Sequence, residues 1–332
     1  MNQTAWTFAS MGETLEALAD GRVDSETLVR QQLARVEALN PKLQAYLDVY
    51  QDEALQAARG LDALRRAGYT VGPLHGITVA IKDLFEIEGH PITAGSLALP
   101  ARTSRITASA VERLRAAGAI VLGKTHTVEY AFGGWGTNAS MGTPWNPWDP
   151  AVHRVPGSSS SGSAVAVAAG MACAALGTDT GGSVRIPAGL CGLVGLKTTY
   201  GLISRYGLID LCPTHDTVGP LTRTVQDCAL LLDVLAGADP RDPVSQRAPV
   251  RSLSSALGKP VDGMRVWVLP QAEREGVEAD VLAAYDQALA TLVRLGMVLV
   301  EKPLPQSLES SMAIAGKLMS AEGYANLGAL FE

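Results

Sequence analysis

The sequence predicts an α/β protein, and three observations predict this fold class. Segments with helical periodicity alternate with short apolar, β-branched segments along the chain. At 332 residues, with 47% hydrophobic and only 18% charged residues, the chain can bury one large core or two smaller ones. A run of very small residues at 164–170 suits a helix packed closely inside such a core. We therefore expect a globular protein.

The individual elements follow from periodicity and from start and stop signals. A helix over residues 25–39 begins after the cap-like pair Asp24-Ser25, and Asn40-Pro41 should end it. A strand over residues 77–81 places Lys82 directly at its end. The other predicted helices lie at residues 52–67, 109–117, 164–170 and 277–295, and the other predicted strands at residues 119–122, 171–176, 265–269 and 297–300.

Charge and composition exclude several classes of protein. The formal net charge of −6, without a run of Lys or Arg, offers no electrostatic surface for nucleic acid or anionic lipid. No apolar segment reaches the roughly 18 residues that span a bilayer, and the N-terminus lacks a basic start followed by an apolar block, so we expect a cytoplasmic protein. Four isolated cysteines and five scattered histidines indicate neither disulfides nor a metal site, and we expect no cofactor.

Residues 118–125, GAIVLGKT, match the phosphate-binding pattern GxxxxGK[ST]. In that motif the residues between the glycines form a loop whose N–H groups point at phosphate. Here those residues are Ala-Ile-Val-Leu, which favour a strand whose N–H groups bond within a sheet. We therefore interpret the segment as a buried strand that ends in a turn, and ATP binding through Lys124 is the alternative.

Two segments rich in glycine and serine follow. Residues 156–163, PGSSSSGS, could form a flexible linker, but they adjoin a helix of small residues, which favours an ordered loop lined by hydroxyl groups. Residues 177–187, GTDTGGSVRIP, follow a predicted strand, and their glycines let several N–H groups point to one place beside Ser183. This pattern fits an oxyanion hole beside a nucleophile, and equally a tight turn with Ser183 as a helix cap.

A serine nucleophile needs a base, and the sequence offers Lys82 rather than a histidine. None of the five histidines has a recognisable Ser/His/Asp context, and the pattern SxxK is absent. Lys82 closes an apolar strand, where desolvation lowers the pKa of an amine and leaves part of it neutral at pH 7. A lysine that extends to solvent or pairs with Asp83 is the alternative at such a position.

Together these segments resemble the amidase signature family. The resemblance extends over residues 25–237 and is densest at residues 157–195, where GSSSSGSAVAVAAG, GTDTGGSVRIPA and CGLVGLKTTYG stand in the order of that family. The segments GPLHGITVAIKD, AGAIVLGKTH, NPWDP and DTVGPLTRTVQD support it. The resemblance implies a mixed, largely parallel central sheet flanked by helices on both faces, in a chain that lacks the C-terminal part of the fold.

The resemblance also implies how the chain is organised. Residues 1–70 are expected to form a helical segment that packs on the core, and residues 71–238 the catalytic core itself. Residues 239–262, which contain several prolines and serines, are expected to form a loop or linker. Residues 263–332 are expected to add a further α/β portion of the same domain, truncated at its end.

In this family a lysine, a serine on a cis peptide and a nucleophilic serine form the catalytic triad. The residues that the resemblance places on these positions are Lys82, Ser159 and Ser183. The serine loop is the segment 156–163, and glycines common in it are replaced here by serines at 158 and 161. Only spacing therefore favours Ser159 over Ser160. The remaining implied roles are an oxyanion hole of N–H groups from Thr180, Gly181, Gly182 and Ser183, support from Thr178, Asp179 and Arg185, and a substrate pocket lined by Phe132.

Two functions follow from the resemblance. The one we prefer is a serine amidohydrolase that cleaves the C–N bond of a small amide, carbamate or urea-like molecule through an acyl-enzyme. The alternative is the glutamine-hydrolysing component of a tRNA-dependent amidotransferase, but residues 319–332 lack the Asn-Leu-Ser/Ala-Arg-Phe/Tyr-Asp-Gly pattern of that component. We expect a small-molecule amide or carbamate as the partner, no direct contact with nucleic acid or membrane, and leave a homodimer open.

Overall fold

The structure is a computed structural model that describes residues 6–98, 102–247 and 252–330. Its helices are α1 (Met11–Ala19), α2 (Ser25–Leu43), α3 (Gln51–Arg66), α4 (Ser109–Ala116), α5 (Ser161–Ala168), α6 (Arg185–Cys191), α7 (Val225–Leu235), α8 (Ala279–Arg294) and α9 (Leu308–Leu327). Its strands are β1 (Tyr46–Val49), β2 (Thr78–Lys82), β3 (Pro91–Ile92), β4 (Arg102–Thr103), β5 (Ile120–Thr125), β6 (Ala174–Asp179), β7 (Val194–Gly195), β8 (Thr217–Thr222), β9 (Arg265–Val268) and β10 (Val298–Glu301). The chain divides into two compact units, one drawn from residues 1–255 and 322–332 and the other from residues 256–321.

The larger unit is built on a six-stranded sheet in the order β1-β5-β2-β6-β8-β7. β2 pairs in parallel with β5 on one side and with β6 on the other. β1 is antiparallel to β5, and β8 is antiparallel to both β6 and β7. Strands β5, β2, β6 and β7 therefore run in one direction, which confirms the predicted mixed, largely parallel sheet.

Helices cover both faces of this sheet. Alternate residues of a strand point to opposite sides, so each strand contributes side chains to two apolar cores. In β2, Val79 and Ile81 belong to one apolar core and Ala80 to the other. Helices α1, α4 and α7 contribute to the first core, and α2, α3 and α5 to the second. Every residue of β2, β5, β6 and β8 is buried, as expected of strands between two layers of helices.

The predicted helices and strands are present with shifts at their ends, and two predicted stops are wrong. The turn expected after Leu122 is absent, because β5 continues to Thr125. Helix α2 does not stop at Asn40-Pro41 but continues to Leu43. Pro41 lies in the last turn, and Leu43 is buried in the core, so apolar burial outweighs the hydrogen bond that proline cannot donate. Gln44 then ends the helix in the left-handed conformation, with its N–H bonded to the carbonyl of Asn40.

The smaller unit is a β-α-β arrangement in which β9 and β10 pair in parallel and α8 connects them. Within residues 256–321, all of which are described, Val268 is the one buried residue. Large apolar side chains of α8 and β10, such as Val281 and Val298, are at least half exposed. In the described part of the chain no helix combines the length and the apolarity that a membrane span requires.

Candidate active site

The site lies where β2 and β6, two parallel neighbours, end. Lys82 is the last residue of β2, and Thr178 is the last but one of β6. The Nζ atom of Lys82 donates to Ser159 Oγ and to Thr178 Oγ1, each at 2.7 Å. The lysine side chain is completely buried. The structure thus brings three of the residues singled out in the sequence into direct contact.

The surroundings of Lys82 favour its neutral form. Burial lowers the pKa of this lysine to about 7, although the negative charges of Asp216 and Asp179 act to raise it. Asp83, the next residue in the chain, forms a buried ion pair with Lys124 at 2.9 Å. Lys82 therefore neither extends to solvent nor takes Asp83 as its partner, and part of its population is neutral near pH 7.

The serine loop before α5 reaches Lys82 through one of its four serines. The Ser158–Ser159 peptide bond is cis. The carbonyl of Ser159 accepts a hydrogen bond from Thr127 Oγ1 at 3.0 Å, while its hydroxyl accepts from Lys82. The Ser160 hydroxyl instead lies 3.3 Å from both the backbone N and the carbonyl oxygen of Thr178. Ser159, and not Ser160, is the serine that contacts the lysine.

Residues 180–184 form the glycine turn between β6 and α6, and this turn is organised around the carboxylate of Asp179. One of its oxygens accepts the N–H of Gly182 at 2.8 Å, and the other accepts the N–H of Val184 at 3.1 Å. The guanidinium of Arg185 donates to both oxygens at 3.0 Å. Burial opposes ionisation of Asp179, but the bonds from Arg185 and from the backbone outweigh it and hold the pKa of this carboxyl below its usual value. Asp179 and Arg185 therefore form the charge pair expected to brace the turn.

The turn differs from the expectation at Gly182, whose N–H is committed to Asp179. This amide cannot at the same time point at a substrate oxygen. The N–H groups of Thr180, Gly181 and Ser183 remain as the donors of the proposed oxyanion hole. Gly182 is still required as glycine, because its φ is 130° and an added Cβ would lie 2.6 Å from a carbon of Ile186.

Ser183 is half-buried and lies between the glycine turn and α6. Its carbonyl accepts the N–H of Ser160 at 3.1 Å, which ties the turn to the serine loop. No hydrogen bond joins its hydroxyl to another described residue. Phe132, placed in the substrate pocket by the resemblance, follows a 3-10 turn over Glu129–Ala131 and is 55% exposed.

Sequence reasoning missed Asp216, which lies directly before β8. Its buried carboxylate accepts the hydroxyl of Thr180 on one oxygen. Its other oxygen accepts the N–H groups of Leu211 and Cys212 at 2.8 and 2.9 Å. The signal available in the sequence was an aspartate at the start of the segment DTVGP, without any pattern that linked it to Thr180.

Known proteins resemble this chain over most of its length. The A subunit of the glutamyl-tRNA(Gln) amidotransferase of Dechloromonas aromatica (strain RCB) is 45% identical over 300 residues, which are 90% of this chain and 61% of that protein. The peptide amidase of Stenotrophomonas maltophilia has a TM-score of 0.89 and 36% identity, and the match covers 99% of this chain and 68% of that one. The A subunit of the glutamyl-tRNA(Gln) amidotransferase of Thermotoga maritima has a TM-score of 0.84 and 34% identity, with 96% and 66% covered.

The chain spans about three fifths of the length of the curated relatives it matches. The family model described as Amidase matches residues 27–331, which include the serine loop, the glycine turn and the buried lysine. Family match, sequence identity and fold agree, and the chain belongs to the amidase signature family.

Proposed function

We propose that the chain is a serine amidohydrolase that cleaves a C–N acyl bond with Lys82, Ser159 and Ser183. The observation that carries this proposal is the buried Lys82 amine, which lies 2.7 Å from the Ser159 hydroxyl and has a pKa of about 7. An amine with this pKa is partly neutral at pH 7 and can accept a proton from a serine. Relatives that are named as a peptide amidase and as an amidotransferase subunit support cleavage of this class of bond.

In the proposed reaction, neutral Lys82 takes the proton of Ser159 while Ser159 takes the proton of Ser183. The Ser183 oxygen forms a bond to the substrate carbonyl carbon, and the N–H groups of the glycine turn stabilise the negative charge on the carbonyl oxygen. When the C–N bond breaks, the leaving nitrogen receives the proton back through Ser159. Water then attacks the serine ester, gives up its proton along the same relay, and releases the acid.

The neighbouring groups support this relay in separate ways. Thr178 accepts the second hydrogen bond of the Lys82 amine and fixes its direction toward Ser159. Asp179, held by Arg185, binds backbone N–H groups on either side of Ser183 and so sets the position of the nucleophile. We assign these three residues to positioning rather than to chemistry.

For the substrate we propose a small amide, carbamate or urea-like molecule, with Phe132 lining its pocket. A second candidate is glutamine hydrolysis as the A subunit of a tRNA-dependent amidotransferase. The names of the curated relatives at 45% identity favour this second candidate. The missing sequence pattern in residues 319–332 favours the first.

The test of the chemistry is intact-mass analysis of the purified chain after exposure to a fluorophosphonate, with the adduct mapped to a peptide. We expect one adduct, on Ser183, and we expect Ser183→Ala and Lys82→Ala each to lower kcat by about 10³-fold or more. Full turnover by Ser183→Ala would refute the proposal.

The substrate class is tested by measuring ammonia release from glutamine and from a panel of small amides and carbamates. Turnover of a small amide without other proteins supports the first candidate. Glutamine hydrolysis that appears only with the partner proteins of an amidotransferase supports the second and contradicts the first.

A further inference from the structure

Three buried aspartates stand at the ends of the strands around Lys82, and they differ in how their charge is balanced: Asp83 follows β2, Asp179 ends β6 and Asp216 precedes β8. Asp83 has the ammonium of Lys124 at 2.9 Å, and Asp179 has the guanidinium of Arg185 at 3.0 Å. Among the described residues, no Lys, Arg or His lies within ion-pair distance of Asp216, which is held by one hydroxyl and two N–H groups. Its negative charge is therefore not neutralised by a cation of its own.

The sheet places Asp216 at the end of β6, where the site begins. β8 is antiparallel to β6, with Val218 opposite Thr178 and Thr217 opposite Asp179. Asp216, the preceding residue, lies just beyond this pairing and accepts the hydroxyl of Thr180, the first residue of the glycine turn. Thr178, near the end of β6, thus binds the Lys82 amine. Asp216, directly before β8, binds the glycine turn through Thr180.

We propose that Asp216 is a positioning residue for the reaction, which anchors the turn that carries the oxyanion N–H groups and supplies the negative charge that balances protonated Lys82. This inference rests on the proposed function, because it requires Lys82 to act as the base. Asp216 itself exchanges no proton and touches no reacting atom.

The charge role follows from what happens to Lys82 during turnover. Each time Ser183 attacks, Lys82 becomes an ammonium inside the protein, which costs free energy unless an anion compensates it. Two aspartates raise the pKa of Lys82, and of these Asp179 already has the cation of Arg185, so Asp216 is the carboxylate whose charge is left to compensate. Its effect on Lys82 has the required direction, since its charge raises the pKa that burial lowers.

Other titratable groups lie near these residues, and their effect on a pH profile must be distinguished from the effect of Asp216. Burial lowers the pKa of His126 to about 4, so this histidine is neutral at the pH of the assay. Burial is also the main reason that the pKa of the Cys212 thiol is raised to about 11, which keeps it protonated. Asp210 pairs with Arg205, and His215 lies beside Thr214, which also bonds to Glu322.

The test is the pH profile of kcat/KM for Asp216→Asn in the full chain. The asparagine oxygen can accept the two N–H groups while its NH₂ donates to the Thr180 hydroxyl, so the tether is kept and only the charge is lost. Without that charge the pKa of Lys82 falls, and Lys82 is neutral at lower pH. For the native chain we expect an acidic midpoint near pH 7, the pKa of Lys82. For the variant we expect this midpoint to lie about 1 pH unit lower, with a lower plateau.

Thr180→Val is the complementary variant, because it removes the tether and keeps the charge. We expect a lower kcat with the acidic midpoint unchanged. Asp210→Asn is the matched control, since it removes a carboxylate from the same loop, and His215→Gln removes the histidine of that loop. Both controls are expected to keep the native midpoint.

A folded Asp216→Asn variant with a lower plateau and the native midpoint would overturn the charge role, and a native kcat in Thr180→Val would overturn the anchoring role. If Asp216→Asn does not fold, Asp216→Ser is measured in its place with the same downward shift expected, and Thr180→Val still decides the anchoring role. Failure of the proposed function itself is distinct, because the native chain would then form no Ser183 adduct and Ser183→Ala would retain turnover.

Discussion

At the scale of single residues, the four adjacent serines 158–161 show how position separates chemically identical side chains. The Ser159 hydroxyl meets Lys82, and the Ser160 hydroxyl lies against the backbone of Thr178. The Ser161 hydroxyl is buried and has no hydrogen-bond partner in the part of the chain that the structure describes. Of these serines, only Ser159 has the lysine contact that a proton relay needs.

We expect Ser159→Ala to lower kcat by about 10²-fold or more, because the proton path from Ser183 to Lys82 is interrupted, while some activity remains. Ser161→Ala is the matched control in the same loop, and it should keep the native kcat because its hydroxyl has no bond to lose. Steady-state kinetics on one amide substrate compares the two variants. A native kcat in Ser159→Ala would remove this serine from the relay.

The contacts of the site could be predicted from sequence only where the decisive signal is local. Lys82 at a strand end and Ser183 after two glycines are visible within a few residues of the chain. The engagement of the Gly182 N–H depends on how the Asp179 carboxylate folds back over the turn, and the role of Asp216 depends on a contact across 36 residues. Neither is encoded in the spacing of the motif.

At the scale of elements, strands with a local sequence signal were predicted, and strands that depend on pairing with a distant segment were not. The interpretation of segment 118–125 as a strand rather than a phosphate loop is confirmed over Ile120–Thr125, and all six of these residues are buried. The turn expected after Leu122 is wrong, because Gly123, Lys124 and Thr125 belong to the strand. β8 was not predicted, because Gly219 and Pro220 lie inside it and both residues weaken a strand signal. It forms nevertheless, because it pairs with β6 over five residue pairs.

We expect Lys124→Met to destabilise the protein by about 3–5 kcal/mol, because it leaves the buried Asp83 carboxylate without its cation. Urea unfolding measures this free energy. The double variant Asp83→Asn/Lys124→Met should recover part of the loss, since no unpaired charge then remains. Native stability in Lys124→Met would contradict the structural role, and ATP binding that this variant abolishes would restore the nucleotide-binding alternative.

At the scale of the whole molecule, composition and alternation predicted the α/β class but not how apolar burial is distributed. In the larger unit, β2, β5, β6 and β8 are buried throughout. In the smaller unit, α8 has a helical apolar periodicity similar to that of the buried helices, yet none of its residues is buried. Periodicity identifies the apolar face of a helix, but only tertiary packing determines whether that face is covered.

This difference predicts that the two units open with different free energies. A two-stranded sheet that buries little apolar surface is marginally stable, so we expect amides of β9, β10 and α8 to exchange with solvent faster than those of β2 and β6. Hydrogen exchange followed by mass spectrometry measures this on the native chain, with peptides from β9 and β10 compared with peptides from β2 and β6. Because exchange of a buried central strand requires opening of the whole sheet, β2 should report the global stability of the larger unit. Equal protection in all these strands would show that exposed apolar surface in the smaller unit does not lower its local stability.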